Sequence, residues 1–209
     1  MTERAYHHGN LRQALLERAW STIDDEGLDA LSMRQLARDV GVSHGASARH
    51  FADRTALLDA VAITGFERMN TALAEAVAAE PTFAGGLRSA GFAYIGFAVE
   101  HPAILDLMYK AKHHPEASVE LVDLGRASMA AVVALVAEGQ QRGEIRPGDV
   151  ERQALVVFAA VHGVAALATD DLLDGVDWRV AADATLEAVL GALAVAGASG
   201  EQHEASAVR

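Results

Sequence analysis

The 209-residue sequence predicts an all-α fold, and three observations carry that reading. Hydrophobic residues make up 51% of the chain but aromatic residues only 5%, and alanine is the prominent apolar type, which suits closely packed helices better than sheets built from β-branched and aromatic residues. Apolar residues recur at helical spacing along most of the length. Ser, Asn and Asp stand where helices would be capped, and Gly and Pro where they would stop. The expected architecture is about nine helices, an N-terminal three-helix domain followed by a C-terminal helical domain.

Taken in order, the first helix is signalled by Asn10 as N-cap with Gln13 three places on, followed by Leu16, Ala19, Trp20 and Ile23, and stops at Glu26-Gly27. The second starts at Ser32, with Gln35 completing a capping box and Met33, Leu36, Ala37 and Val40 at i, i+3, i+4 and i+7 before Gly41. A third begins at Ser43 and runs to His50 or Phe51, because Asp53 reads as the cap of a fourth. That fourth helix, 54–79, carries Leu57, Leu58, Val61, Gly65, Phe66 and Met69, ends at Glu80-Pro81 and connects the two domains. Five further helices are expected near 83–100, 102–112, 116–142, 149–173 and 177–196, with Pro102 and Pro115 at first-turn positions. These limits divide the chain into a domain at 1–54, a second at 55–197 and a polar tail at 198–209 expected to be disordered.

Bulk properties narrow the function classes. The absence of cysteine excludes disulfides and thiolate metal sites and suits a cytoplasmic location. The N terminus has no apolar signal-peptide core, and the longest apolar run, Ala154 to Ala168, is interrupted by His162 and Gly163, so a soluble protein without membrane contact is expected. A net charge of -12 opposes phosphate binding on its face, but residues 61–209 hold a net -10 of it and residues 1–60 only -2. Between Arg34 and Arg54 the balance reverses: Arg34, Arg38, Arg49 and Arg54 face only Asp39 and Asp53, with His44 and His50 beside them.

Residues 32–51, SMRQLARDVGVSHGASARHF, combine two short helices with a turn at Gly41-Val42-Ser43, which is the helix-turn-helix arrangement. Ala37 permits close approach, Gly41 can take a positive φ, Val42 anchors the turn and Ser43 caps the next helix. On that third helix His44 and Ser47 are expected to read base edges and Ala48 to allow apolar approach, with Ser43 and Gly45 at its N-terminal end, while Arg34, Arg49, His50 and Arg54 face phosphate. The competing reading is two amphipathic helices packed in a bundle, with solvated Arg and His residues.

The stretches YHHGNLRQALLERAW and LSMRQLARDVGVSHGASARHFADRTALLDAV, from Tyr6 onward, closely resemble the DNA-binding domain of the TetR family of bacterial transcriptional regulators. The resemblance implies a three-helix DNA-binding domain, a connecting fourth helix and a C-terminal ligand-binding and dimerisation domain. The chain departs from the family pattern at Ala48, where an aromatic residue is common, and at Arg54-Thr55, where Lys-Glu is common. FAVEHPAILDLMYKAK and VFAAVHGVAALATDDLLDG look like a subgroup with a His-Gly pair in the eighth helix.

The eighth helix is apolar nearly all round, and the ninth carries Ala181, Ala184, Ala188 and Ala192 on one side, so pairing both across a two-fold axis into a homodimer is expected. A palindromic double-stranded DNA operator follows from that symmetry. From the helices that line the effector pocket in the resembled family come Phe92, Ile95, Met108, Tyr109, Met129, Val133, Phe158 and His162, although residues of these types at helical spacing more often simply pack. His7-His8 reads as part of an arm near the DNA backbone and His113-His114 as a helix boundary; neither has the spacing of a metal site, and no cofactor fingerprint or nucleophile motif suggests an enzyme. The expected function is a ligand-responsive regulator, a repressor released by a small-molecule effector; the alternative is a helical small-molecule-binding protein with weak or no DNA binding.

Overall fold

The computed structural model describes residues 11–195. Among these the chain forms α1 (Leu11–Glu26), a 3-10 turn (Leu28–Ala30), α2 (Met33–Asp39), α3 (His44–Ala48), α4 (Arg54–Ala78), α5 (Phe83–Glu100), α6 (Pro102–Lys112), α7 (Val119–Gln141), α8 (Val150–Thr169) and α9 (Trp178–Leu193), with no strand among the described residues. Expectations attached to His7-His8, Asn10 and the tail from 198 lie outside the described residues.

Helix starts follow local cap chemistry. The Ser32 hydroxyl accepts from the Gln35 N–H at 3.4 Å, Ser43 from Ala46 at 3.2 Å, Asp53 Oδ1 from Ala56 at 2.8 Å and Asp149 from Arg152 at 3.0 Å. Each such cap satisfies an N–H that the helix cannot, and contributes about 1 kcal/mol. Pro102 occupies the first turn of α6 as expected.

The helices fall into two compact units. The first holds the residues up to Arg68 together with His101–Gly125. Its core is made by Leu15, Ala19 and Ile23 of α1, Leu57, Val61 and Phe66 of α4, and Ile104 and Met108 of α6, all fully buried. Here α1 packs on α2, α3 and α6, so α6 shares a core with the N-terminal helices although the sequence reading counts it with the C-terminal ones. The second unit holds Met69–Glu100 and the residues from Arg126 onward. In it α5, α8 and α9 pack mutually, and the approach of α5 to α9 is close: a Cβ added at Gly91 would come within 2.8 Å of the Leu186 side chain.

Four differences from the sequence reading have local causes. The third helix stops at Ala48, with Arg49 and His50 in a turn, where the His50 N–H donates to the Ser47 carbonyl at 3.0 Å in the tighter i→i−3 pattern. The seventh starts at Val119, not near 116. Pro115 lies in the preceding turn and not in a first turn, and the Ser118 hydroxyl provides the cap by accepting from Leu121 at 3.2 Å. The eighth ends at Thr169, short of 173, because the connection to α9 takes left-handed backbone at Asp171 (φ 55°) and Asp174 (φ 48°). Finally, α8 has 20 residues and is long and apolar enough to cross a bilayer by length and composition, so the interruption at His162 and Gly163 does not by itself exclude a span. Its packing against α5 and α9 buries part of its apolar surface.

Candidate functional site

The turn between α2 and α3 is held from within. Gly41 has φ 77°, a conformation costly for any residue with a Cβ, and the Val42 N–H donates to the Ala37 carbonyl at 2.9 Å. Leu36, Ala37, Val40 and Phe51 are buried beneath it. The two short helices therefore have one internal face, and what remains is an outer face of small and basic residues.

On that outer face His44, Gly45, Ala48, Arg49 and His50 are exposed, as are Ser43 at the cap and Arg34 on α2. His44, Gly45 and Ala48 fall at i, i+1 and i+4, one side of a helix. Neither the Arg34 nor the Arg49 side chain has a hydrogen-bond or ion-pair partner among the described residues. Gly45 is notable because its own chain does not call for it: its φ is ordinary, and an added Cβ would meet nothing within 4 Å.

Ser47 requires a correction. It is fully buried, and its hydroxyl donates to the His44 carbonyl at 2.8 Å. A side chain so placed has no access to a base edge, so Ser47 is withdrawn from the base-reading set. Ser47 precedes the apolar Phe51 by four residues, and both face inward.

Arg54 is exposed but engaged. Its Nη2 donates to the Leu28 carbonyl at 2.7 Å and its Nε to the Leu31 carbonyl at 3.5 Å, which ties the start of α4 to the 3-10 turn. Arg38 donates to the Gln35 side chain at 2.6 Å, and Gln35 donates to Asp39 at 2.5 Å. Gln35 thus points down α2 and away from the Ser32 N–H that a capping box would use. Arg18 of α1 meets Asp39 at 2.9 Å. The hydrogen bond from Arg18, with that from Gln35, holds the Asp39 carboxyl below its usual range. The Arg18–Asp39 link was not visible in the sequence, because the two residues are 21 positions apart.

The residues expected to line a ligand pocket divide between the units. Met108 and Tyr109 belong to the first, where Tyr109 meets Phe66 edge-on at 6.0 Å. In the second, Ile95 is fully buried, Phe92 packs against Trp178 at 6.1 Å, and Phe158 stacks on His162 at 5.3 Å. His162 Nδ1 is hydrogen-bonded to the Tyr94 hydroxyl at 2.8 Å, the pattern of a satisfied interior histidine. A cleft of about 420 Å³ does lie in the second unit, between the C-terminal half of α4 and α7, and none of those eight residues lines it. Among the described residues no group of His, Asp and Glu could hold a metal ion.

Comparison with known proteins gives two family models. Residues 15–61 match "Bacterial regulatory proteins, tetR family", and residues 87–193 match "Tetracyclin repressor-like, C-terminal domain". No curated protein matches. Among solved structures, a protein with unknown function from Rhodococcus sp. RHA1 shares 46% identity over 92% of this chain and all of its own, with a TM-score of 0.86. The fold is shared with a TetR family transcription regulator from Marinobacter aquaeolei VT8 (19% identity, 88% of this chain and 95% of that one, TM-score 0.68). It is also shared with a bacterial regulatory protein in the tetR family from Rhodococcus RHA1 (21% identity, 88% and 97%, TM-score 0.70).

Proposed function

Since the chain belongs to the tetR family of bacterial regulatory proteins, we propose that it is a transcriptional repressor that binds a palindromic operator as a homodimer and is released by a small-molecule effector. The observation that carries the DNA-binding part is the outer face of α3, where His44, Gly45 and Ala48 stand exposed with Arg34 and Arg49 nearby. Helix N-terminal residues of this size reach base edges in a major groove, and a glycine without an internal reason suits an external surface at van der Waals distance. In this reading His44 reads bases, Gly45 and Ala48 permit the approach, and Ser43, Arg34, Arg49 and His50 face phosphate. Arg54 orients the start of α4 and can reach phosphate only with donors its two carbonyl partners leave over.

The homodimer is supported by the surface of α8 and α9. On α8, Val156, Ala159, Gly163 and Leu167 form a stripe at helical spacing; Val156 is 52% exposed and Leu167 43%. On α9, Val180 is 61% exposed, and Ala184, Ala188 and Ala192 continue the row. Added Cβ atoms at Gly163 and Gly191 would meet nothing within 4 Å in their own subunit. Apolar stripes of small residues let helix axes approach closely, and a self-complementary face of this kind makes a two-fold dimer. DNA binding is assigned to residues 1–54 and effector binding and dimerisation to 55–197, with α4 shared; a chromosomal operator places the protein in the cytoplasm, away from membrane. Repression is supported by the description of the matched C-terminal family.

The test is a gel-shift series against fragments of the host genome, repeated with two variants. Arg49→Ala is expected to weaken binding to all DNA about equally, by about 1 kcal/mol, and His44→Ala to change the ranking of sequences. A well-folded dimer that gives no specific complex at low salt would overturn the reading and leave a small-molecule-binding protein.

A further inference from the structure

The cleft between α4 and α7 has a composition that selects its occupant. Its walls are almost wholly aliphatic and small: Ala74 and Ala78 on α4, Ala127, Ala131 and Ala134 on α7, with Ala90 of α5. Leucine and valine side chains complete it, and no aromatic residue or cation lines it. At one end Ser128 donates to Asn70 at 2.7 Å. At the other lies Glu138, ten residues further along α7, so the cleft is roughly 15 Å long by helical rise. Its volume of about 420 Å³ falls in the range of small-molecule sites.

The Glu138 end opens into a smaller cleft of about 190 Å³ that also includes Glu80 and Arg142. Arg142 is the cation there, and three of its five N–H donors are engaged: it meets Glu144 at 2.6 Å and Glu138 at 3.4 Å and donates to the Pro81 carbonyl at 2.5 Å. Two carboxylates, Glu138 and Glu144, thus pair with this one guanidinium, and a third, Glu80, lines the same cleft while accepting from Ser89 at 3.0 Å. A carboxylate or phosphate arriving at this mouth meets net negative charge, whereas an ammonium meets carboxylates in excess.

We propose that this cleft binds a lipophilic cation, an aliphatic amine whose chain lies along the alanines and whose ammonium group sits at Glu138. Its role as the effector rests on the regulator reading above; its binding does not. The preference for an aliphatic chain follows from the alanine, leucine and valine walls, and the preference for positive charge from the carboxylate excess at one end only.

The experiment is isothermal titration of the full-length dimer with three probes of equal chain length, n-octylamine, 1-octanol and octanoate, at neutral pH. Octylammonium is expected to bind most tightly and octanoate at least tenfold more weakly. Glu138→Gln should cost octylammonium about fivefold, the ceiling for an exposed charge pair, and leave octanol unchanged. Ala131→Leu, which fills the cleft, should abolish binding of both, with Ala74→Leu as a second filling variant on the other wall and thermal melting to verify folding. Octanoate binding as tightly as octylammonium, binding of none of the probes, or binding indifferent to both filling variants would overturn the proposal. A parallel gel shift separates the two readings: octylammonium that binds in the cleft without releasing operator leaves this site standing and removes it as the control point.

Discussion

Gly45 is the residue at which internal and external requirements part. A glycine in a helix costs conformational entropy, and the surrounding structure gives no steric reason for one here. Gly45→Ala should therefore raise folding stability, by about 0.5 kcal/mol, while weakening operator binding by tenfold or more. Thermal melts and gel shifts on the same preparation check both halves; a variant that gains stability and binds DNA unchanged would show that nothing approaches this position. Ser47 is the opposite case. Its polar type suggests a DNA contact, but one turn of helix is too short for periodicity to reveal its direction, and only the later Phe51 fixes it inward. Residue roles on α3 were thus legible where exposure follows from the cap and the turn, and illegible where a hydroxyl is satisfied by its own backbone.

At the scale of elements, helix starts were legible because capping is local: Ser32, Ser43 and Asp53 each cap the helix expected to begin there, and Asp149, counted inside its helix by the sequence reading, proves to be a cap as well. What joins one helix to another was not legible, since it is set by residues far apart in sequence. The junction of α1 with α6 is the clearest instance. His101 Nδ1 meets Asp24 Oδ2 at 2.7 Å, and its ring packs edge-on against Trp20 at 5.3 Å. The other oxygen, Asp24 Oδ1, is buried without a partner. Removing the imidazole would leave the carboxylate with no strong donor, so His101→Ala should cost about 1–3 kcal/mol, measured by urea unfolding. His101→Gln, which can still donate to Asp24, should recover part of that loss. An unchanged midpoint for His101→Ala would show that water replaces the ring at no cost. The α4–α7 cleft escaped the sequence for a related reason: alanines carry no chemistry, and only their placement on facing helices makes a space.

For the whole molecule, the largest expectation concerns assembly. The apolar stripes on α8 and α9 would stand in water in a lone subunit, an arrangement that marks an interaction surface. Ala188→Arg places a charge in the middle of the α9 row and should shift sedimentation from dimer to monomer, with operator affinity falling by at least a hundredfold because two half-sites are no longer held together. A dimer that survives the substitution would move the interface elsewhere.

The internal employment of the basic residues has one more consequence. Arg18 is spent on Asp39, Arg38 on Gln35 and Arg54 on the carbonyls of Leu28 and Leu31. Few cations on the helix-turn-helix face therefore remain, among the described residues, to displace the counterions condensed on DNA, and each phosphate neutralised changes the slope of log K against log salt by about -0.9. Arg34 and Arg49, counted twice for a dimer, supply a slope of roughly -4, shallow for a protein of this class of interface. Complex formation should then tolerate salt well, and its strength should come from fit to the groove more than from release of ions.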